Sequence, residues 1–85
     1  MTYTIELSRE SLKALKKIPH SDVKKIQNKI EKFKKDPLPK GCEKLEGSHD
    51  LYRIRSGDYR VIYQIFNKKL LILIVKIGHR REVYR

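Results

Sequence analysis

Arginines recur along one short stretch of this sequence in a pattern that suits phosphate chemistry. Residues 51–63 read LYRIRSGDYRVIY, and Arg53, Arg55 and Arg60 alternate with large apolar residues around a Ser-Gly-Asp turn. Period-two geometry places Arg53 and Arg55 on one face, and the short turn makes Arg60 a cross-strand neighbour of one of them. Like charges so placed destabilise a hairpin, whereas guanidinium groups bind phosphate in a planar, bidentate way. The pattern indicates an anion site or, alternatively, a solvated strand face.

A second group of candidate residues lies in the last eight residues, GHRREVYR, where Gly78 is expected to end a strand. If this tail folds back beside the hairpin, it adds Arg80, Arg81, His79 and Tyr84 to the same patch. A disordered basic tail is the alternative, although a valine and a tyrosine within it favour packing. Histidine is the residue type most often used as a general acid or base, but strand alternation could direct His79 away from Arg80. The alternative that His79 is an ordinary surface histidine therefore stays open.

The composition limits the class of protein and of partner. The 85 residues carry 21 Lys and Arg against 10 Asp and Glu, a formal charge of +11. Such a field raises encounter rates with polyanions, which favours nucleic acid or an acidic partner over a merely solvated basic surface. The single cysteine excludes an internal disulfide and a multi-cysteine metal site. The apolar run LLILIV is too short to cross a bilayer, and we expect one soluble domain, residues 1–85, in the cytoplasm.

The elements that must position these side chains follow from hydrophobic periodicity. Residues 3–7 alternate as a short strand, and Ser8 is a candidate N-cap for a first helix that Pro19 ends. Ser21 is a candidate N-cap for a second helix, which the prolines at 37 and 39 end. The apolar stripes of the two helices are Leu12, Leu15 and Ile18, then Val23, Ile26, Ile30 and Phe33.

Residues 38–50 carry turn formers, and we expect a loop there. Whether this loop includes one short strand or turn near Leu45 stays open. Three strands follow at 51–55, 59–66 and 69–77, joined by hairpin-length links. The last strand has apolar residues at both its odd and its even positions, so both of its faces are apolar, which is typical of a central strand. The predicted order is β-α-α-β-β-β, an α+β domain with a helical hairpin packed on a four-stranded, largely antiparallel sheet.

Two segments of the chain resemble the RelE/ParE superfamily of bacterial and archaeal toxins, and the RelE branch most closely. They are YRIRSGDYRVIYQI and, a few residues later, VKIGHRREVY. The similarity covers nearly the whole chain, from the opening YTIELSRESLKALKKI to the ending, and the terminal motif is fairly specific. The fold of that family, a helical hairpin against a four-stranded sheet, agrees with the order derived above.

The resemblance implies the toxin of a type II toxin–antitoxin system, an endoribonuclease that needs neither metal nor cofactor. Enzymes of this kind enter the ribosomal A site and cut the mRNA codon there by attack of the 2′-hydroxyl on the adjacent phosphate, which inhibits translation. The family's functional residues fall here on Arg53, Arg55, Arg60, Arg80 and Tyr84.

Transphosphorylation needs a base, an acid and donors for the charge that grows on the phosphate. Arg60 and Arg80 suit the last of these roles, while Arg53 and Arg55 can hold backbone phosphates. Tyr84 could stack on a base or accept a proton. The expected further RNA contacts are Arg81, His79, Lys24, Lys25 and Lys29.

Two features depart from the family pattern. Where RelE enzymes often have lysines, this chain has Arg53 and Arg55, which stay protonated and cannot readily serve as a base. The chain also stops one residue after Tyr84, without the C-terminal helix of some relatives. Proton transfer is therefore expected from Tyr84, His79, water or the ribosome itself.

Two other functions stay open. One is inhibition of DNA gyrase, as in ParE-like members, although gyrase inhibition has no need of a phosphate-centred group of arginines. The other is a non-catalytic nucleic-acid-binding module that uses the lysine face of the second helix.

The resemblance also implies a set of partners. The cognate antitoxin is expected to be RelB-like, acidic and partly disordered, and to complement the charge of +11. The other expected partners are the ribosome and mRNA, with no membrane. We further expect an oligomeric toxin–antitoxin complex, such as a heterotetramer, that binds DNA through the antitoxin.

Overall fold

Five strands and two helices make up the part of the chain that this computed structural model describes, residues 2–47 and 50–79. In chain order they are β1 (Thr4–Leu7), α1 (Arg9–Lys17), α2 (His20–Lys32), β2 (Glu43–Lys44), β3 (Leu51–Ser56), β4 (Tyr59–Phe66) and β5 (Leu71–His79). The strands form one sheet in the order β1-β5-β4-β3-β2. β1 runs parallel to β5, and the other neighbouring pairs are antiparallel. The predicted fold class is confirmed, with β2 as a fifth, two-residue strand in the segment left open near Leu45.

One face of the sheet carries the hydrophobic core. Ile54 on β3 pairs with Val61 on β4, which pairs with Ile77 on β5, and all three are buried. The α2 helix covers this face with its buried residues Ile26 and Ile30, and Phe33 caps the end of that helix. The apolar residues that were predicted from their helical spacing are therefore the residues that pack against the sheet.

Tyr63 connects the sheet to the segment that follows α2. Its ring stacks on Phe33 with the ring centroids 4.2 Å apart, and its hydroxyl donates a hydrogen bond of 2.8 Å to the Pro37 carbonyl. Burial is the main reason that the pKa of the Tyr63 hydroxyl is raised far above the ordinary value of 10.0. Tyr63 is thus a structural residue that stays protonated at any physiological pH.

The first turn of α1 is joined to β5 at an irregularity of the sheet. The register of β4 and β5 shifts at Ile62/Tyr63, which leaves Val75 without a partner on β4. Ser8, the predicted N-cap, accepts from the Ser11 backbone N–H at 3.1 Å and donates to the Val75 carbonyl at 2.8 Å. The buried hydroxyl of Ser11 donates to the Ile74 carbonyl at 3.0 Å. The helix cap therefore also satisfies the carbonyl of Val75, the residue that the bulge leaves without a partner on β4.

Two details of the helices differ from the prediction. Leu12 was expected in the buried stripe of α1 but is 50% exposed, because the hydrogen bonds of Ser8 and Ser11 turn the serine side of the helix toward β5. Ser21 was expected to cap α2, but that helix begins at His20 with Pro19 as its N-cap. The Pro19 carbonyl already accepts two backbone N–H groups of the first turn.

The last strand also differs from the prediction at both ends. Residues Asn67–Lys69 form a 3-10 turn, with Leu70 at a φ of 50°, so β5 begins at Leu71. Gly78 was expected to end the strand, yet it lies within β5, opposite Arg60. Pairing with β4 outweighs the entropic cost of a glycine in a strand interior. Neither helix in the described ranges is long and apolar enough to cross a membrane.

Substitution of Ser8 by alanine tests the cap. Ser8→Ala removes one bond to the helix N-terminus and one to the bulge, and we expect the free energy of unfolding to fall by about 1–2 kcal/mol. Urea unfolding followed by circular dichroism measures the loss. Ser21→Ala is the matched control, because Ser21 is exposed and does not cap α2, and we expect a change within about 0.5 kcal/mol. Equal losses in the two variants would contradict the assignment.

Tyr63 predicts a dependence of stability on alkaline pH. Its folded-state pKa lies above the unfolded value, so the stabilisation is complete below about pH 10 and is lost above it, at about 1.4 kcal/mol per pH unit. Tyr63→Phe lacks this group, so the stability difference between wild type and variant should shrink as pH rises from 9.5 to 11. Urea unfolding over that range measures it. A difference that stays constant would mean that Tyr63 ionises as readily in the folded chain as in the unfolded one.

Candidate active site

The β3–β4 hairpin brings the three predicted arginines close together. Its two-residue turn has Gly57 at a φ of 61°, the positive φ that a tight hairpin turn needs at its first position. This turn sets the register in which Arg55 lies directly opposite Arg60, while Arg53 lies opposite Ile62. The sequence left open which arginine faces Arg60, and the structure shows that it is Arg55.

The three arginines differ in how far they are buried. Arg60 is only 7% exposed, the Arg53 side chain is 25% exposed, and Arg55 is exposed. The neighbour of Arg60 on β5 is Gly78, which brings no side chain to that face of the sheet. Arg60 is therefore the arginine that the fold holds most tightly, with Arg55 at the surface beside it.

A cleft of about 480 Å³ lies beside β3, between the hairpin and the segment that leads from α2 to β2. The charged residues that line it are Lys29, Lys40, Glu43, Arg53, Arg55 and Arg60. Five of these are basic and one is acidic, so the cleft has the electrostatic character of an anion site. Its fork-shaped guanidinium donors suit the planar, bidentate binding of a phosphate.

Glu43 is held against the arginines by pairing of the two edge strands. It lies opposite Arg53 in the β2–β3 ladder, and its Oε2 lies 3.1 Å from Nη2 of Arg53. The Glu43 side chain is 64% exposed, so the pair contributes at most about 1 kcal/mol to stability. Its effect on the cleft is to fix the direction of the Arg53 guanidinium.

The cleft unites only part of the predicted site. It brings together Arg53, Arg55, Arg60 and Lys29. Lys24 and Lys25 are exposed on α2 but do not line the cleft, although Lys25 lies one helical turn before Lys29 on the same side. The predicted residues Arg80, Arg81 and Tyr84 lie outside the described residues.

His79 lies on the opposite face of the sheet from Arg60. It is the last residue of β5 and pairs with Tyr59, next to the Arg60–Gly78 pair, and strand alternation separates the two faces. Its ring meets the Tyr59 ring edge to face, with the centroids 5.7 Å apart. Both residues line a second cleft beside α1, together with Lys13 and Lys17. Any RNA contact of His79 would therefore be separate from the arginine cleft.

Two residues of the arginine cleft were not predicted, Lys40 and Glu43. Both lie in the segment between α2 and β3, where the sequence has turn formers and little periodicity, so no pattern indicated where their side chains would lie. The two-residue strand β2 is too short to show an alternation. Within the described ranges, no group of three or more His, Cys, Asp or Glu residues could hold a metal ion.

Comparison with known proteins places this arrangement in a family. A family model described as the ParE toxin of the type II toxin–antitoxin system, parDE, matches residues 5–84. The RelE1 protein of Methanocaldococcus jannaschii is 36% identical, over 100% of this chain and 98% of that protein. The mRNA interferase toxin RelE of Escherichia coli is 28% identical, over 99% of this chain and 92% of that protein.

Solved structures agree with the sequence relatives. The toxin–antitoxin complex RelE–RelB from Pyrococcus horikoshii contains a chain that superposes with a TM-score of 0.84 at 35% identity, covering 94% of this chain and 97% of that one. The free RelE toxin of Escherichia coli, in a mutant form, superposes with a TM-score of 0.82 at 27% identity, covering 99% and 92%. The chain belongs to the ParE toxin family of type II toxin–antitoxin systems, and it is a RelE-like toxin.

Proposed function

We propose that this toxin is an endoribonuclease that cuts mRNA in the A site of the translating ribosome. The observation that carries the proposal is the convergence of Arg53, Arg55 and Arg60 on one cleft, with Lys29 and Lys40 around them. An Escherichia coli relative, 28% identical over nearly the whole chain, is named an mRNA interferase. The proposed substrate is therefore the phosphodiester backbone of an mRNA codon, and the proposed place of action is the cytoplasm.

The proposed reaction is an internal transphosphorylation that uses no metal or cofactor. The 2′-oxygen loses its proton and attacks the adjacent phosphorus, and the bond from phosphorus to the 5′-oxygen breaks. The products are a 2′,3′-cyclic phosphate and a 5′-hydroxyl end. Negative charge grows on the non-bridging oxygens during the attack, so guanidinium groups fixed beside the phosphate favour the transition state over the ground state.

The cleft suggests a division of roles among the arginines. Arg60, which is 7% exposed, is the rigid donor suited to the phosphate that reacts. Arg53 and the exposed Arg55 suit the neighbouring phosphates, which must be bound but gain no charge during the reaction. Arg80 and Tyr84 are proposed to complete the site, as the family resemblance implies, with Arg80 as a second transition-state donor. Arg81, Lys24, Lys25 and Lys29 are proposed as further backbone contacts.

The ribosome is proposed as an obligatory partner, because the cleft by itself selects phosphate and not sequence. Contacts from basic side chains position a nucleic acid but do not read its bases. A bound codon that the ribosome presents in a bent form would supply the alignment that a free RNA lacks.

Removal of single arginines tests the proposed chemistry. Arg60→Gln and Arg80→Ala should each slow cleavage by about 10²-fold or more, since each removes a donor to the transition state. Primer extension on translating ribosomes measures the codon-spaced breaks. Arg9→Gln is the matched control, because Arg9 is exposed on α1 and does not line the cleft, and it should cut as the wild type does. Thermal unfolding of each variant checks that the fold is intact.

The outcomes of this experiment separate the proposals. Breaks that persist at the wild-type rate in Arg60→Gln or Arg80→Ala would refute the role of that arginine. Breaks that the wild type itself fails to make would overturn the nuclease proposal, and gyrase supercoiling would then be the next assay.

The cognate partner is proposed to be a RelB-like antitoxin, acidic and partly disordered, that covers or distorts the arginine cleft. The RelE chain from Pyrococcus horikoshii, 35% identical, was solved in complex with RelB. A net charge of +11 on this chain favours association with an acidic segment. The complex is further proposed to be an oligomer, such as a heterotetramer, that binds DNA through the antitoxin.

Coexpression with the neighbouring gene of the same operon tests the partner. Native mass spectrometry should show a complex, and the purified complex should leave ribosome-bound mRNA intact. A partner that fails to associate, or a complex that cuts as fast as the free toxin, would contradict the proposal. The same spectrum gives the stoichiometry directly.

A further inference from the structure

One carboxylate stands among the basic residues that line the arginine cleft. Glu43 belongs to β2, a strand of only two residues at the edge of the sheet. The charged groups that surround it come from four elements of the chain, and they are Lys29 of α2, Lys40 of the following loop, Arg53 and Arg55 of β3, and Arg60 of β4. In a site that binds phosphate, a carboxylate at this place orients Arg53 but also competes with the phosphate for the same donors.

The proposed reaction needs a group that the arginines cannot supply. A base must take the proton of the 2′-hydroxyl, and a guanidinium stays protonated and offers no acceptor. Tyr63 is buried, has a strongly raised pKa and donates its hydroxyl to the Pro37 carbonyl, so it does not serve either. Tyr59 and His79 line the second cleft, on the other side of the sheet.

Glu43 meets the geometric demands on a base. Its carboxylate oxygen Oε2 lies 3.1 Å from Nη2 of Arg53. A phosphate bound to the same guanidinium would therefore lie next to the carboxylate. The ladder pairing of Glu43 with Arg53 fixes the backbone positions of both residues. The side chain is 64% exposed, which leaves it open to an RNA strand that enters the cleft.

We propose that Glu43 is the general base of the cleavage reaction, an inference that rests on the proposed nuclease function. The Glu43 carboxylate takes the proton of the 2′-hydroxyl while the 2′-oxygen forms its bond to phosphorus. The 5′-oxygen leaves with the electron pair of the broken bond and takes a proton from water. Arg53 holds the carboxylate in place through the ion pair and places its positive charge beside the phosphate.

Glu43→Gln separates a base from a residue that only orients Arg53. Glutamine keeps the size of the side chain and an oxygen that accepts from Arg53, but it cannot take the proton. We expect the single-turnover rate on A-site mRNA, at saturating toxin, to fall by about 10²–10⁴-fold. The toxin concentration that gives half-maximal rate should stay within about threefold of that of the wild type. Glu46→Gln is the matched control, because Glu46 is exposed nearby and does not line the cleft.

The pH dependence gives a second readout that a structural role would not change. With the base removed, hydroxide must deprotonate the 2′-hydroxyl, so the residual rate of Glu43→Gln should rise about tenfold per pH unit between 6.5 and 8.5. The wild type should change far less over the same range. Tyr84→Phe, measured in parallel, should keep the wild-type slope even if it is slower.

Each result decides the question. A Glu43→Gln rate within threefold of the wild type, or above it, would overturn the inference and leave Glu43 as an orienting group or a competitor of phosphate. A slower variant with an unchanged pH slope, or the steep slope found in Tyr84→Phe instead, would overturn it as well. A wild type that cuts no ribosome-bound mRNA would overturn the proposed function itself, which distinguishes the two failures.

Discussion

The register of the β3–β4 hairpin is the constraint on which the core and the cleft both depend. A two-residue turn, made tight by the positive φ of Gly57, sets Arg55 opposite Arg60 and Ile54 opposite Val61. Because side chains alternate along a strand, a slip of one residue would move Ile54 and Val61 out of the core and the arginines into it. The burial of the apolar residues therefore fixes the register of the hairpin, and the register in turn fixes the positions of the arginines.

This arrangement works against the stability of the hairpin and in favour of anion binding. Arg55 and Arg60 are cross-strand neighbours with the same charge, a pairing that destabilises a hairpin. The neighbouring pair Ile54–Val61 and the stack of Tyr63 on Phe33 supply apolar burial close by, which offsets the repulsion. A phosphate in the cleft would neutralise part of the repulsion between Arg55 and Arg60. Binding of an anion would therefore lower the electrostatic energy of the hairpin.

Short-range patterns in the sequence predicted most of the fold. The helix stripe Ile26, Ile30 and Phe33, the cap at Ser8 and the two hairpins all follow from local chemistry, and the structure confirms them. Two of the failures depend on partners far along the chain. Leu12 is exposed because Ser8 and Ser11 bond to carbonyls of β5, and Gly78 continues its strand because β4 pairs with it.

The candidate site was predictable to the same degree. Arg53, Arg55 and Arg60 share one hairpin, so alternation and a tight turn suffice to bring them together. Lys40 and Glu43 enter from an aperiodic segment whose path depends on the Tyr63–Pro37 hydrogen bond and on a two-residue strand. His79 was expected as an RNA contact in the same patch, but its pairing with Tyr59, next to the Arg60–Gly78 pair, places it on the other face of the sheet.

Binding of a short RNA to the isolated toxin tests the central claim most directly. A trinucleotide with 2′-O-methyl groups cannot be cut, and its titration at low salt can be followed through the arginine Nε–H signals in nitrogen-15 NMR spectra. The account predicts saturable shifts at Arg53, Arg55 and Arg60, with Arg9 on the far helix unaffected. Shifts spread evenly over all arginines, or confined to residues around the Tyr59–His79 cleft, would contradict it.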